Sequence, residues 1–189
     1  MNKVSFHSLM RVPIQLFYVT YEQGDFLGFL LALASLTPML VVVAQVTAVI
    51  ITESSQRRCW AIWLLLGQIL NEIINLILKR IFRQSRPITS DRLDYGMPSS
   101  HAQFSVFLAF ALLFILYCHQ SRFDKRMLFS LSLLSLLYPV VVCYSRVYLG
   151  YHDFLQVGAG ILVGLAVGLL AKDYSPSKID SCEKIKQVS

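Results

Sequence analysis

An all-α, polytopic membrane helix bundle of about five to six helices is the fold class this sequence predicts, and three observations predict it. Of 189 residues, 56% are hydrophobic and only 15% charged, too apolar a balance for an ordinary soluble domain of this length. Five stretches approach or exceed the roughly 20 residues that cross a hydrocarbon core of about 30 Å, and their only charged residue is one glutamate. Too little polar sequence remains to cover five such helices in water.

The first 25 residues mix Phe6, Leu9, Phe17 and Tyr18 with Lys3, Arg11, Glu22 and Asp25. They fit neither a spanning helix nor a cleavable signal peptide, and an N-terminal interfacial helix is expected over 1–25. The spans follow at Phe26–Ile51, Cys59–Leu78, Ala102–Cys118, Met127–Tyr144 and Phe154–Ala171. Together they make one membrane domain over 26–171, with no repeat and no second domain. In the third span Phe104, Phe107, Phe110 and Phe114 recur at helical spacing, as a packing or lipid-facing surface does. The glycines of the last span, VGAGILVGLAVGLL, permit close helix packing of the small-residue kind; the sequence does not fix the oligomeric state. Residues 172–189 are polar, carry Lys172, Lys178, Lys184 and Lys186, and read as a tail.

A net charge of +6 would suggest nucleic acid in a soluble protein, but here the bases flank hydrophobic spans, as membrane topology requires, and no nucleic-acid partner is expected. Cys59, Cys118, Cys143 and Cys182 show no metal-ligand spacing, so they predict neither a disulfide nor a metal site.

Alternating spans put Lys79–His101, Ser145–His152 and the N-terminus on one side of the bilayer. The loops Thr52–Arg58 and His119–Arg126 share the other side with the tail, which holds nine Lys and Arg against eight. If Lys79, Arg86 and Arg146 serve a ligand, nine face five, and the positive-inside rule puts the tail side in the cytoplasm.

The shared face presents Lys79, Arg86-Pro87, Pro98-Ser99-Ser100-His101, Ser145-Arg146 and His152. Phosphoryl transfer needs such a set, because its transition state spreads negative charge over equatorial oxygens that preplaced cations must meet. Arginine offers a planar fork and lysine a point charge. A histidine at neutral pH attacks phosphorus or passes a proton to a leaving oxygen. His101 and His152 each begin an apolar span, near helix N-terminal N–H groups. Ser99 and Ser100 are also natural N-caps for the helix that starts near His101. Glu72, the one carboxylate in a span, lies seven residues before Lys79 on the same helix face, and is expected to position it.

In order and spacing, KRIFRQSRP, PSSH and SRVYLGYH resemble the three-part signature of the type 2 phosphatidic acid phosphatase superfamily: Lys-x6-Arg-Pro, Pro-Ser-x-His and Ser-Arg-x5-His. Two departures narrow the resemblance. Gln156 stands where the third motif usually has aspartate, and Ser100 where the second usually has glycine. With YGMPSSHAQF, SRVYLGYHDFLQV, Asn71-Glu72 and GDFLGFLLALASLTP, they look like the branch that acts on dolichyl diphosphate. The resemblance implies the helical fold shared with the vanadium haloperoxidases. It implies a covalent mechanism in which His152 attacks the terminal phosphorus, and His101 protonates the leaving group and later activates water. Lys79, Arg86, Arg146, Ser99 and Ser100 would bind the phosphoryl group, without metal or other cofactor.

Gln156, one turn beyond His152, is expected to orient the imidazole without supplying negative charge. Asp153 points elsewhere. A diphosphate substrate tolerates that loss, since its leaving phosphate has a second pKa of about 6 against roughly 15.7 for water, the guide for an alkoxide. The resemblance implies a polyprenyl diphosphate substrate, hydrolysed on the lumenal side of the endoplasmic reticulum membrane to recycle carrier lipid for protein glycosylation. The competing expectations are a phosphatase for phosphatidic acid, sphingoid phosphate or a shorter prenyl diphosphate, and an anionic-lipid binder or transporter without turnover.

Overall fold

In the computed structural model, which describes residues 11–14, 19–90 and 94–177, the chain forms five long helices behind a short N-terminal hairpin. The helices are α1 (Phe26–Ile51), α2 (Ser55–Phe82), α3 (Ser100–Cys118), α4 (Lys125–Tyr148) and α5 (Phe154–Ala171). All five are long and apolar enough to cross a membrane. Aspartates start three of them: the side chain of Asp25 accepts from Gly28 N, Asp124 from Met127 N and Asp153 from Gln156 N, at 2.9, 2.7 and 2.8 Å. Each satisfies a helix N–H that would otherwise lack a partner.

Three helices outrun the hydrophobic spans that predict them, α3 by only two residues at its start. Cys59–Leu78 lengthens to Ser55–Phe82 and Met127–Tyr144 to Lys125–Tyr148. Hydropathy stops at the first lysine or arginine, whereas a helix stops where its backbone does. For α2 that point is Arg83, in the left-handed region at φ 48°. Lys79, Ser145 and Arg146 therefore sit on last helical turns rather than in loops.

The expected interfacial helix is not found in the described part of 1–25. Arg11–Ile14 (β1) and Val19–Glu22 (β2) pair instead as antiparallel strands, with Val12 opposite Tyr21 and Ile14 opposite Val19. Valine, threonine and tyrosine in succession favour a pleated strand over a helix. Tyr151 anchors the hairpin, its hydroxyl accepting from Thr20 N at 2.7 Å. The rest of 1–25 and residues 178–189, where most of the expected tail falls, lie outside the described residues.

Helix α3 is the centre of the bundle. Half of its apolar window is buried, against 11–33% in the other helices. Gly160, Gly164 and Gly168 of α5 lie against it so closely that a Cβ would come within 2.6 Å of Ser99 O, 2.5 Å of Gln103 O and 2.6 Å of the Phe110 ring, respectively. The small-residue stripe thus packs inside the chain. Phe107 is fully buried with Trp60, Trp63, Ala111 and Val167.

The outer surface is apolar, and beside the apolar core the interior also holds polar amides. Leu30, Val43, Ile73, Leu137, Leu155 and Leu162 are exposed, whereas Gln68, Asn71, Asn75 and Gln103 are buried. Apolar lipid tails suit the former, and hydrogen bonds satisfy most of the latter. Asn75 Nδ2 donates to Gln103 Oε1 at 2.7 Å and to Pro98 O at 3.3 Å, and Gln103 Nε2 donates to Asn71 Oδ1 at 2.9 Å. This chain of amides joins α2 to the start of α3, just behind Pro98-Ser99-Ser100-His101.

Candidate active site

The end of α2, the start of α3 and the α4–α5 connection meet at one end of the bundle. His152 lies there, 2% exposed, immediately before the N-cap of α5. Its Nδ1 is 3.0 Å from Gln156 Oε1, and its Nε2 is 2.9 Å from Arg86 Nη1. A guanidinium only donates, so Nε2 must be the unprotonated nitrogen. The amide is oriented independently, since Gln156 Nε2 donates to Ser85 O at 2.9 Å. Its Oε1 is thereby left to accept from Nδ1–H. Two neighbours thus select the same neutral tautomer, with the lone pair on Nε2.

Burial, with the guanidiniums of Arg86 and Arg146 close by, pushes the pKa of His152 down to about 3. The ring is neutral throughout the physiological range, with its Nε2 lone pair held in the hydrogen bond from Arg86.

Arg86 is fixed from several directions. Nη1 also donates to Tyr151 O at 3.1 Å, while Nε and Nη2 grip the two oxygens of Asp94 at 2.8 and 2.9 Å. Lys79 Nζ stands 3.9 Å from the same carboxylate. Arg146, 2% exposed, lays its guanidinium 4.3 Å from the centre of the Tyr151 ring. Its carbonyl accepts from the backbone N–H groups of Tyr151 and His152, which turns the chain out of α4 and toward α5.

Gln156, fully buried, is the junction of the three motifs. Its side-chain amide touches Ser85 in the first and His152 in the third, and its backbone carbonyl accepts from Ser99 N in the second at 2.9 Å. Gly96 lies against it, where a Cβ would come within 2.5 Å of Oε1. Gln156 Oε1 lies within hydrogen-bond distance of the imidazole, whereas the Asp153 side chain caps α5.

Ser99 occupies the N-cap position of α3, but its hydroxyl makes no cap hydrogen bond; its Oγ is buried with no hydrogen-bond partner. Ser99 thus takes the expected N-cap position without a side-chain cap bond. His101 and Ser100 line a cavity of about 370 Å³ between α1, α2 and α3, together with Glu72, Gln68 and apolar side chains such as Met39 and Phe104. Glu72 is thus on the His101 side of α2. Among the described residues, no three His, Cys, Asp or Glu side chains stand close enough together to hold a metal ion.

Asp94 escapes motif reading because it lies between two motifs, in a segment notable for its cations. Its only signal in the sequence is a carboxylate eight residues after Arg86.

The sequence profile of the PAP2 superfamily matches residues 60–180. The chain is 39% identical over 171 residues to human dolichyldiphosphatase 1 and 37% identical over 171 residues to dolichyldiphosphatase of Saccharomyces cerevisiae, covering 84% of this chain and 68% of each relative. It is also 35% identical to lipid phosphate phosphatase gamma of Arabidopsis thaliana, over 82% of this chain and 70% of that one. In fold it is similar to the crystal structure of a transmembrane PAP2 type phosphatidylglycerolphosphate phosphatase from Bacillus subtilis. The TM-score is 0.66 at 18% identity, over 79% of this chain and 77% of the other.

Proposed function

We propose, since this chain belongs to the PAP2 superfamily, that it is a membrane phosphatase hydrolysing dolichyl diphosphate to dolichyl phosphate and phosphate, with His152 as its nucleophile. The observation that carries the chemistry is the neutral, oriented ring of His152, with Nε2 beside Arg86 and Nδ1 on Gln156. Its lone pair attacks the terminal phosphorus and forms an N–P bond, while the bond from phosphorus to the bridging oxygen breaks. Dolichyl phosphate leaves with a proton from His101. Water then attacks the phosphohistidine, giving its proton to His101; inorganic phosphate departs and the neutral ring is restored.

Arg86, Lys79 and Arg146 meet the charge of the transferring group, and Arg86 must exchange its contact with Nε2 for one with a phosphoryl oxygen as attack begins. Ser99 Oγ, buried without a partner, and Ser100 donate further hydrogen bonds. Glu72 and Gln156 act as supports. The site faces the lumen of the endoplasmic reticulum, where the product re-enters protein glycosylation as carrier lipid. Support for that orientation is the excess of lysine and arginine on the opposite side once the three phosphate ligands are set apart.

The test is phosphate release by the detergent-purified protein from dolichyl diphosphate, dolichyl phosphate and phosphatidic acid in parallel, in EDTA, with His152→Ala as control. Release chiefly from the diphosphate, abolished in the variant, is expected. Preferential turnover of phosphatidic acid would overturn the substrate, and full activity in His152→Ala would overturn the mechanism. Turnover of nothing would favour a lipid binder.

A further inference from the structure

We propose that Asp94 is a built-in competitor of the substrate: its carboxylate occupies the seat of the terminal phosphate and must leave before a ligand binds. The inference rests on Arg86 and Lys79 being phosphate ligands, as proposed above. A carboxylate and a phosphate present the same two-oxygen edge to a guanidinium fork. Asp94 fills that fork, its oxygens 2.8 and 2.9 Å from Nε and Nη2, and draws within 3.9 Å of Lys79.

The two partners are unequally buried. The Arg86 side chain is 3% exposed and also bound to Tyr151 O and close to His152 Nε2, whereas that of Asp94 is 52% exposed. When a more strongly charged anion arrives, Asp94 is the partner that moves. Without its carboxylate, three cations would converge at the resting site with no anion on the fork of Arg86. With it, the fork is kept aligned, at the cost of weaker binding for every anion that uses it.

Competition of this kind lowers the fraction of molecules open to ligand, and it weakens all such ligands by one common factor. For a half-exposed ion pair with good geometry that factor is about two- to fivefold. Substrate and phosphate product are affected alike.

Two measurements on the full-length protein in detergent micelles test this. One is calorimetric titration with inorganic phosphate of the native protein, Asp94→Ala, Arg86→Ala and the double variant; the other is the KM for dolichyl diphosphate of the native protein and Asp94→Ala. In Asp94→Ala, the Kd for phosphate and the KM are expected to fall together by about two- to fivefold. Arg86→Ala should weaken phosphate binding, and adding Asp94→Ala to it should have a smaller effect than Asp94→Ala has in the native protein. A Kd that stays or rises in Asp94→Ala, while Arg86→Ala still weakens binding, overturns the inference and leaves the phosphate seat standing. That result would make Asp94 an orienting partner of Arg86. Native-like phosphate binding by Arg86→Ala would instead remove the seat itself.

Discussion

Replacing Gln156 with glutamate changes one atom of consequence, turning the amide nitrogen into an oxygen. The oxygen facing His152 Nδ1 at 3.0 Å becomes part of a carboxylate, and the donor to Ser85 O at 2.9 Å is lost. A hydrogen bond to a charged group is worth about 1.5–3 kcal/mol, and one pKa unit about 1.4 kcal/mol, so the imidazolium gains roughly one to two units. The pKa of His152, about 3 in the native chain, is then expected at roughly 4–5. The sign is fixed: a raised pKa protonates the nucleophile at higher pH, so activity is lost earlier as the medium is acidified. At pH 7 both rings are neutral, and the variant differs only in how well it stabilises positive charge on the attacked ring. That help matters most where the leaving group is poor. Profiles of kcat/KM against pH for dolichyl diphosphate and phosphatidic acid should show the acid limb displaced upward by one to two units and the diphosphate preference reduced at pH 7. Superimposable profiles with an unchanged preference would refute the assigned tautomer and the role given to the amide. Thermal unfolding should register the orphaned Ser85 carbonyl as a loss of about 1–3 kcal/mol.

Three further outcomes are expected. His101→Ala should lower kcat by roughly 10²- to 10⁴-fold and let radiolabelled phosphoprotein accumulate, as read by acid quenching; a reduced rate with no trapped label would remove His101 from the hydrolytic step. Asn75→Leu takes the partner from Gln103 Oε1 and Pro98 O and should cost about 1–3 kcal/mol in detergent unfolding, with kcat falling more than KM rises. Gly164→Ala brings a Cβ within 2.5 Å of Gln103 O; overpacking of about 1–3 kcal/mol should follow, and unfolding at the native temperature would show that α5 is free to move from α3.

Much of the candidate site is legible as residue types because the proposed chemistry calls for cations and histidines, and the motif spacings that carry them survive in the linear chain. Arg86 and His152 are separated by 66 residues, yet both belong to motifs that name them. The helix ends at Phe82 and Tyr148 are less visible, since charges at Lys79 and Arg146 end a hydrophobic run without ending a helix. The hairpin is hidden for another reason: strands of four residues carry too short a period to read, and a distant hydroxyl, that of Tyr151, anchors this one. Asp94 has no periodicity at all. Its importance arises only when Arg86 and Lys79 are brought to one place.

The junction at Gln156 bears on why an amide stands where the superfamily pattern has a carboxylate. The cations that depress His152 are the same ones proposed to take the phosphoryl charge, so one interaction keeps the resting ring neutral and favours the transition state. A carboxylate would stabilise the charged ring, but it could not donate to Ser85 O. The amide accepts from Nδ1 and donates to Ser85 at once, which ties the loop carrying Arg86 to the helix that follows His152. In the proposed scheme the chain thus exchanges charge on the nucleophile's partner for a firmer hold on the cation opposite it. Such an exchange is tolerable only if expulsion of the leaving group is easy. A phosphate monoester with a second pKa of about 6 meets that condition, and an alkoxide does not.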